Sequence, residues 1–498
     1  MAVSCRALPP PPSASFSTDY ENKIIVFKDW QSLRQAWQIC SGSAEPGLAG
    51  SFTADELGNL RRCFGDSVAY IEDDLTVQKA EVRRDVPQSM LRRLRGDEIE
   101  SSPLIEQQAA ESASPTSMVS QQLQSLERVL KQDAGSRSAA GFLPASFGSG
   151  VGEPAVKGIK QQTLPQALWN LDRIDKRSSA LNSVYRYGTP HTLGTGKGVT
   201  IYTLDSGLRL THQEFQAWDN SGSRGSYGWD FSDGNNDWNA SDCDGHGTHV
   251  ASVAAGRMVG VAKEARVVAV KVLGCDGSGT ISSIIAGLDW LMLNHVAPAV
   301  ATMSLGVPVG QWSRALDSAV TSLIDQAKVT VVVAAGNTKA DSCTIAPGNV
   351  NGTLNMAASD LASKFMERPP AGVKDGLYPW SNTGRCVDMF APGVDILAAC
   401  GGAGKCPEVS DTAYAWASGT SMAVPHAAGM AAIYLSDHPS AEPREVIAAL
   451  TAAANPSTIE APDILSGTPL LMLNTDLYSA YESQQNVSAA NGPEPAAG

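Results

Sequence analysis

Between residues 161 and 478, short apolar segments alternate with segments of helical pattern. The runs 198–204 and 329–335 are β-branched and apolar without polar alternation, which is typical of strands buried on both faces. The same region predicts further strands at 267–273 and 299–303, and helices at 282–293, 312–327 and 421–435. This alternation predicts an α/β fold, with a mostly parallel central sheet and helices on both of its faces.

The N-terminal part of the chain predicts a small α+β domain at 23–80. Its elements are a strand at 23–27, a helix at 30–40, a helix beginning with Thr53 as N-cap, and a strand at 67–74. The interval between residues 40 and 53 is short, which leaves one strand of this domain open. Three other segments have compositions that do not favour a packed core: a disordered N-terminus at 1–22, a low-complexity linker or insertion at 81–160, and a polar tail at 479–498.

Composition narrows the class of protein. With 498 residues, 43% of them hydrophobic, the chain can bury one large core and a smaller domain. A net charge of −14 argues against a nucleic-acid partner. No segment approaches the roughly 18 consecutive apolar residues of a membrane span, so none is predicted. The first eight residues lead into four prolines without an apolar stretch, so no signal peptide is recognisable at this Met1.

Three short blocks carry the candidate chemistry. Block 203–207 holds Asp205, block 244–251 holds His246, and block 419–426 holds Ser421. A serine hydroxyl is a weak nucleophile until a base removes its proton, and that base needs an acid to fix its tautomer. Asp205 ends a predicted buried strand, which is where open α/β sheets build their sites.

Each block also has a local structural explanation. Asp205 fits a turn after a strand, and Ser421 fits a helix cap. His246 and His249 stand one helical turn apart, but they lack the i, i+4 pair and glutamate of the zinc protease motif. We therefore expect His246 to be a base and His249 to be a buried structural residue. Pro425 has no N–H, so it removes the usual helical partner of the Ser421 carbonyl and argues against a simple cap.

These blocks, in the order Asp, His, Ser, resemble the subtilase family of serine endopeptidases, most closely its proteinase K-like branch. The resemblance implies that Ser421 is the nucleophile, His246 the base and Asp205 its orienting acid. It also implies that Asn337, after the strand 329–335, stabilises the oxyanion together with the Ser421 N–H. An asparagine in a left-handed turn is the alternative explanation of Asn337.

The same resemblance implies a substrate cleft formed by two edge segments that pair with an extended peptide. Their residues are Gly277, Ser278, Gly279, Ser304, Leu305 and Gly306. Ile281 and Ile284 would wall an apolar pocket, although both also fit helix core packing. The family often has another glycine after Ser-Leu-Gly, and Val307 stands there instead, which leaves the shape of the primary pocket open.

Residues 23–80 resemble the inhibitor propeptide of the family, so the chain is expected to be a zymogen that cuts itself first near residues 77–80. The dibasic pairs at 83–84 and 92–93 allow a rival, cleavage by a separate basic-specific protease. The resulting enzyme is expected to be a monomer that acts on polypeptides, has no nucleic-acid partner and is inhibited by its own propeptide. No cofactor is expected for the chemistry. Asp388 matches a weak structural calcium position, and a solvated aspartate explains it equally well.

Six of the nine cysteines lie in the large domain, and six cysteines permit fifteen pairings. The family resemblance implies the pairs Cys243–Cys275, Cys343–Cys386 and Cys400–Cys406. Disulfides favour a secreted or lumenal enzyme whose true start lies upstream of this Met1. The alternative is a cytosolic protein with free buried cysteines.

Overall fold

The fold is taken from a computed structural model of the 498-residue chain. The structure describes residues 20–27, 49–53, 68–79, 82–83, 160–164, 166–187, 194–232, 235–366, 372–402, 406, 410–456, 459–461 and 463–475. The predicted N-terminal segment 1–22 lies almost wholly outside these residues, as do the helix at 30–40 and the tail 479–498.

A large, mostly parallel sheet forms the centre of the molecule. Its strand order is β20-β22-β17-β15-β14-β12-β8-β10-β9; off this path, β16 pairs with β15 and β21 pairs with β16. The bounds are β8 Thr200–Asp205, β9 Gly225–Asp230, β10 Arg266–Lys271, β12 Ala299–Met303, β14 Thr330–Ala334, β15 Leu354–Asp360, β16 Asp375–Leu377, β17 Met389–Pro392, β20 Asn455–Pro456, β21 Ile459–Glu460 and β22 Leu471–Met472. Only the β15–β16 and β20–β22 pairs of this sheet are antiparallel among the described strands.

Helices cover both faces of this sheet. They are α1 Trp169–Ile174, α2 His246–Ala255, α3 Ile281–Asn294, α4 Arg314–Asp325, α5 Thr420–Asp437 and α6 Pro443–Ala453. Strand β8 shows the two faces, since Ile201 packs in the core cluster of α2 and α5 while Tyr202 and Leu204 pack in that of α3 and α4. Because successive side chains of a strand point to opposite faces, β8 is buried from both sides. The predicted α/β fold is confirmed.

The predicted helices are found with slightly different ends. Helix α2 begins at His246 itself, and α5 runs from Thr420 past Pro425 to Asp437. Helices α2 and α5 come very close at Gly429. A Cβ atom there would lie 2.8 Å from the carbonyl oxygen of Ala254 and 2.6 Å from the Cβ of Val261, which follows α2. Only a residue without a side chain fits this crossing.

The N-terminal region contributes strands β1 Tyr20–Phe27, β2 Ala49–Thr53 and β3 Val68–Asp73, which form a separate antiparallel sheet in the order β2-β1-β3. Strand β2 fills the interval that the sequence left open. The continuation of the chain then joins the large domain. Strand β4, Thr76–Lys79, lies between β11 Ser278–Thr280 and β13 Leu305–Gly306, antiparallel to both.

Smaller elements complete the large domain. Strand β5 Val82–Arg83 pairs with β19 Tyr414–Ser418, which also pairs with β18 Ile396–Ala399. Strands β6 Lys160–Thr163 and β7 Val184–Tyr187 form an antiparallel pair, with α1 between them in the chain. Within the described ranges, no helix has both the length and the apolarity that a membrane crossing requires.

Candidate active site

The three residues from the sequence blocks all lie at one edge of the central sheet. Asp205 is the last residue of β8, and His246 opens α2. His246 Nδ1 lies 2.7 Å from Asp205 Oδ1, and both side chains are buried. Asp205 Oδ1 also accepts the Ser206 N–H at 2.7 Å, which fixes the carboxylate. A carboxylate in this position holds the proton on Nδ1 and leaves Nε2 as the basic nitrogen of His246.

The turn before α2 is organised by Asp242, a residue that the sequence reasoning missed. Its buried carboxylate accepts the N–H groups of Gly245 and Thr248, at 2.7 and 2.9 Å. These are donors that the start of a helix leaves without helical partners. Burial raises the pKa of Asp242, while its hydrogen bonds oppose that rise. The carboxylate therefore holds the loop from which His246 projects.

Ser421 lies in the first turn of α5 and is bound to Ser304 twice. The Ser421 hydroxyl donates to the Ser304 carbonyl oxygen at 3.0 Å, and the Ser304 hydroxyl donates to the Ser421 carbonyl oxygen at 3.1 Å. The second bond supplies a partner to the carbonyl that Pro425, having no N–H, cannot serve. Ser304 thus ties the backbone of the candidate nucleophile to the end of β12.

Asn337 follows β14 and faces the start of α5. Its Oδ1 accepts the Thr420 N–H at 2.9 Å, which sets the orientation of the side-chain amide. Its Nδ2 is buried and has no hydrogen-bond partner among the described residues. The preceding Gly336 has a φ of 101°, and a Cβ there would lie 2.5 Å from Asn382 Nδ2. A glycine is therefore required for the turn that presents Asn337.

Both predicted edge segments flank an extended strand of this same chain. Gln78 of β4 lies opposite Ser278 on one side and Gly306 on the other. The Lys79 N–H also donates to the Gly277 carbonyl oxygen at 3.2 Å. Strand β4 therefore occupies the cleft in the way that an extended peptide substrate is expected to bind.

Val77 of β4 packs in the core cluster that contains the isoleucines of the predicted pocket. Its side chain is fully buried, and it belongs to one core cluster with Ile281, Ile284 and Leu305. Ile285 and Leu288, on the same helix, belong to this cluster as well. The isoleucines thus share a core cluster with the occupant of the cleft and also take part in helix packing.

Two acidic residues before β4 cap helices of the large domain. Asp74 accepts the Ser282 N–H at 3.0 Å and its hydroxyl at 2.7 Å, at the start of α3. Glu72 accepts from the Ser313 hydroxyl and from the Ala315 N–H at the start of α4. Carboxylates at helix N-termini satisfy exposed N–H groups and complement the helix dipole.

His249 is a structural residue in this fold. Its Nε2 lies 3.1 and 3.2 Å from the carbonyl oxygens of Ile396 and Ala415. Asp388 accepts the Asn355 N–H at 2.7 Å, and burial raises the pKa of Asp388 to about 6. Across the described ranges, no group of three or more His, Cys, Asp or Glu side chains is arranged to hold a metal ion. A calcium ion at Asp388 stays a prediction.

The large domain contains three disulfides, which are the pairs implied by the family resemblance. They join Cys243 to Cys275, Cys343 to Cys386 and Cys400 to Cys406. The first bridge ties the loop before His246 to the loop before β11, so it connects the predicted base to one of the predicted edge segments.

Comparison with known proteins agrees with this geometry. The family model described as the subtilase family matches residues 196–486, more than half of the chain. An extracellular serine proteinase of Thermus sp. (strain Rt41A) is 42% identical over 308 residues, which cover 61% of this chain and 66% of that protein. Alkaline serine exoprotease A of Vibrio alginolyticus is 41% identical over 303 residues, covering 61% of this chain and 49% of that protein.

A crystal structure of a cold adapted subtilisin-like serine proteinase superposes with a TM-score of 0.52 and 38% identity, covering 62% of this chain and 97% of that one. The chain spans slightly under two thirds of the length of the Thermus proteinase and about half of the length of the Vibrio protease. The family match covers both the residues of the candidate site and the sheet that carries them. The chain therefore belongs to the subtilase family.

Proposed function

We propose that this chain is a serine endopeptidase made as a zymogen that cuts itself. One observation carries the proposal: β4 occupies the cleft beside Ser421, and β5 pairs with β19 only three residues before Ser421. Residues 80 and 81 connect these two strands. Pairing of β4 with β11 and β13, and of β5 with β19, supports the proposal that the segment joining them is presented to Ser421 as an uncut substrate.

The backbone contacts of Lys79 and Val82 narrow the position of the expected cut to a short segment between them. On the upstream side of the expected cut, the Lys79 N–H is bonded to the Gly277 carbonyl oxygen. On the downstream side, Val82 lies opposite Ser418 of β19. The central peptide bond between these fixed positions joins Ala80 to Glu81. We propose this bond as the first one cleaved, at the downstream limit of the range 77–80 expected from the sequence.

In the proposed reaction, the Ser421 hydroxyl turns from the Ser304 carbonyl to His246 Nε2, which takes its proton. Ser421 Oγ then forms a bond to the scissile carbonyl carbon, and Asp205 stabilises the imidazolium through Nδ1. The resulting oxyanion accepts hydrogen bonds from Asn337 Nδ2 and the Ser421 N–H. Collapse of this tetrahedral intermediate breaks the peptide C–N bond, and the leaving amine receives the proton from His246. A water molecule then attacks the acyl ester, with His246 again acting first as base and then as acid, and Ser421 is released.

Self-cleavage is favoured over cleavage by a separate basic-specific protease because the tethered strand is already in position. A bound, oriented segment reacts at a very high effective concentration. The caps from Glu72 and Asp74 add contacts that would keep residues 20–79 on the enzyme after the cut, as an inhibitor. The three disulfides and the relative named as extracellular support secretion or residence in an oxidising lumen.

The test is expression of the full chain, of Ser421→Ala, and of Ser436→Ala as a matched control at the far end of α5. We expect the wild type and Ser436→Ala to show a new N-terminus at Glu81 and to react with a fluorophosphonate probe. Ser421→Ala should stay intact and unlabelled. Equal processing of all three would show that another protease makes the cut.

A binding protein that keeps the fold without activity is the competing class of function. It predicts no probe labelling even of processed wild-type protein, whereas the enzyme proposal requires labelling at Ser421.

A further inference from the structure

We propose that Asp244 makes this enzyme select substrates with lysine or arginine as the second residue before the cut. The proposal rests on the proposed function, because it treats β4 as a substrate bound in the cleft. It adds a specificity that the apolar Val77 pocket does not supply.

The observation is a buried ion pair between the cleft and its occupant. Lys79 Nζ lies 2.5 Å from Asp244 Oδ1, and the two side chains are 9% and 0% exposed. Counted from the Ala80–Glu81 bond, Lys79 is the second residue before the cut. Its backbone is fixed by the N–H bond to Gly277 and by its position opposite Leu305. The ion pair therefore belongs to a defined position of the bound peptide.

Asp244 is held in place by the same turn that presents the base. Its Oδ1 accepts the His246 N–H at 3.1 Å, and Gly245 between them has a left-handed φ of 101°. A Cβ at Gly245 would lie 2.9 Å from Cys406 Sγ, so the turn is also closely packed. The carboxylate is thus preformed and does not depend on a mobile surface side chain.

The charges around Asp244 leave a role for a substrate cation. Asp276, on the loop before β11, interacts electrostatically with Asp244 and adds charge of the same sign. Lys271 Nζ is directed at the carbonyl oxygens of Ser206 and Leu273, at 2.9 and 2.7 Å. The Lys79 side chain therefore pairs with one carboxylate, Asp244, and Asp276 adds negative charge next to Asp244.

The energetic consequence follows from burial. A peptide with an uncharged side chain at this position would cover Asp244 without supplying a cation, and a glutamate would add repulsion. Covering a carboxylate without pairing it is costly, because the desolvation penalty is no longer offset. Discrimination arises as much from this penalty as from the attraction to lysine. The expected order of cleavage is lysine and arginine first, neutral residues next, glutamate last.

Together with the Val77 pocket, the subsite defines a substrate class. It consists of extended segments with a β-branched apolar residue fourth before the cut and a basic residue second before it. Residues 77–80 of this chain, Val-Gln-Lys-Ala, have that pattern.

The test uses processed wild-type enzyme and internally quenched peptides covering residues 74–85, with lysine, arginine, norleucine or glutamate at position 79. Norleucine matches the stem of lysine without its charge. We expect kcat/KM for lysine to exceed that for norleucine by about 10–100-fold. In Asp244→Asn this ratio should fall below about fivefold, with the norleucine peptide still cleaved. Glu460→Gln, a neutralised carboxylate in an exposed ion pair with Lys374, should keep the wild-type ratio.

The outcomes separate this inference from the proposed function. If no peptide is cleaved by wild-type enzyme, the proposed function itself fails. If all peptides are cleaved and the wild-type ratio of kcat/KM, lysine over norleucine, is below about fivefold, the inference is wrong but the proposed protease function is not affected. The same conclusion holds if this ratio is larger and Asp244→Asn leaves it unchanged. If Asp244→Asn loses activity on every peptide because the His246 turn is disturbed, the inference is judged from the wild-type enzyme alone. It is then wrong if the lysine-to-norleucine ratio of kcat/KM is below about fivefold and supported if the ratio is larger.

Discussion

Protonation of His426 should destabilise the folded protein as the pH falls from about 6.5 to about 4. His426 lies within α5 and is fully buried. Its Nδ1 lies 2.7 Å from the Met422 carbonyl oxygen, and its Nε2 lies 2.9 Å from Asn170 Nδ2. A carbonyl only accepts, so Nδ1 carries the proton and Nε2 accepts from the amide. A second proton on Nε2 would face a donor.

The magnitude follows from the difference between the folded and unfolded states. Burial lowers the pKa of His426 from 6.5 to about 4. The unfolded chain therefore binds the proton more tightly than the folded one, and stability is lost as the pH falls through this window. A difference of about 2.5 pH units corresponds to about 3 kcal/mol of unfolding free energy. Above pH 6.5 the contribution is fully present.

The assay compares Ser421→Ala protein, which under the proposed function does not digest itself, with Ser421→Ala/His426→Gln, which cannot titrate at this position. Guanidinium unfolding at several pH values between 4 and 7 gives the two free energies. Their difference should change by about 3 kcal/mol across this range. Subtraction is needed because burial also lowers the pKa of His212.

A second readout follows His426 directly. The chain has seven histidines, so the C2 proton signals of labelled histidine can be assigned by variants. The His426 signal should not titrate above about pH 5. A flat free-energy difference, or a His426 signal that titrates near pH 6.5, would refute the reasoning. Asn170→Asp should move the transition to higher pH, because it replaces the donor by a carboxylate.

Two further predictions concern the cleft. Asn337→Ala and Asn337→Asp should both lower kcat by about 100–1,000-fold with little change in KM, a magnitude established on subtilisin itself. Because aspartate keeps the acceptor for the Thr420 N–H, a much milder loss in Asn337→Asp would assign the effect to backbone support. Glu72→Gln and Asp74→Asn should each weaken retention of the cleaved N-terminal segment by about 2–10-fold, as expected for carboxylates at helix N-termini. The activity that appears on dilution of the cleaved complex measures this retention. Asp73→Asn, at an exposed site, is the control. The prediction is contradicted if both variants release activity to the same extent as the control and the wild type.

The sequence predicted those features that local patterns encode. The apolar runs of β8 and β14 are continuous because both faces of the sheet are covered, and that continuity is visible without a structure. Asp205, His246 and Ser421 could be found because each stands in a short motif that resembles the subtilase family. The strand Ala49–Thr53 could not, because its only described sheet partner is β1, more than twenty residues away in sequence.

Contacts between distant segments were also beyond the sequence. Lys79 and Asp244 are separated by 165 positions, and neither lies in a pattern that indicates the other. The two hydrogen bonds between Ser304 and Ser421 span 117 positions in the sequence. One of them serves the Ser421 carbonyl, which Pro425 leaves without a helical donor. Pro425 was a visible signal that the Ser421 carbonyl needed a partner, but the identity of that partner required the fold.

The crossing at Gly429 has a consequence for how the sequence of this protein can vary. His246 and Ser421 lie in the first turns of α2 and α5, and the two helices touch where Gly429 has no side chain. Adding one methyl group there would push the helices apart by some tenths of an ångström, because a packed interior cannot absorb it otherwise. Helices are stiff, so such a displacement would reach their first turns. Under the proposed function, the alignment of His246 and Ser421 is therefore a property of interior packing, and selection for activity constrains core positions that selection for folding alone would leave more tolerant.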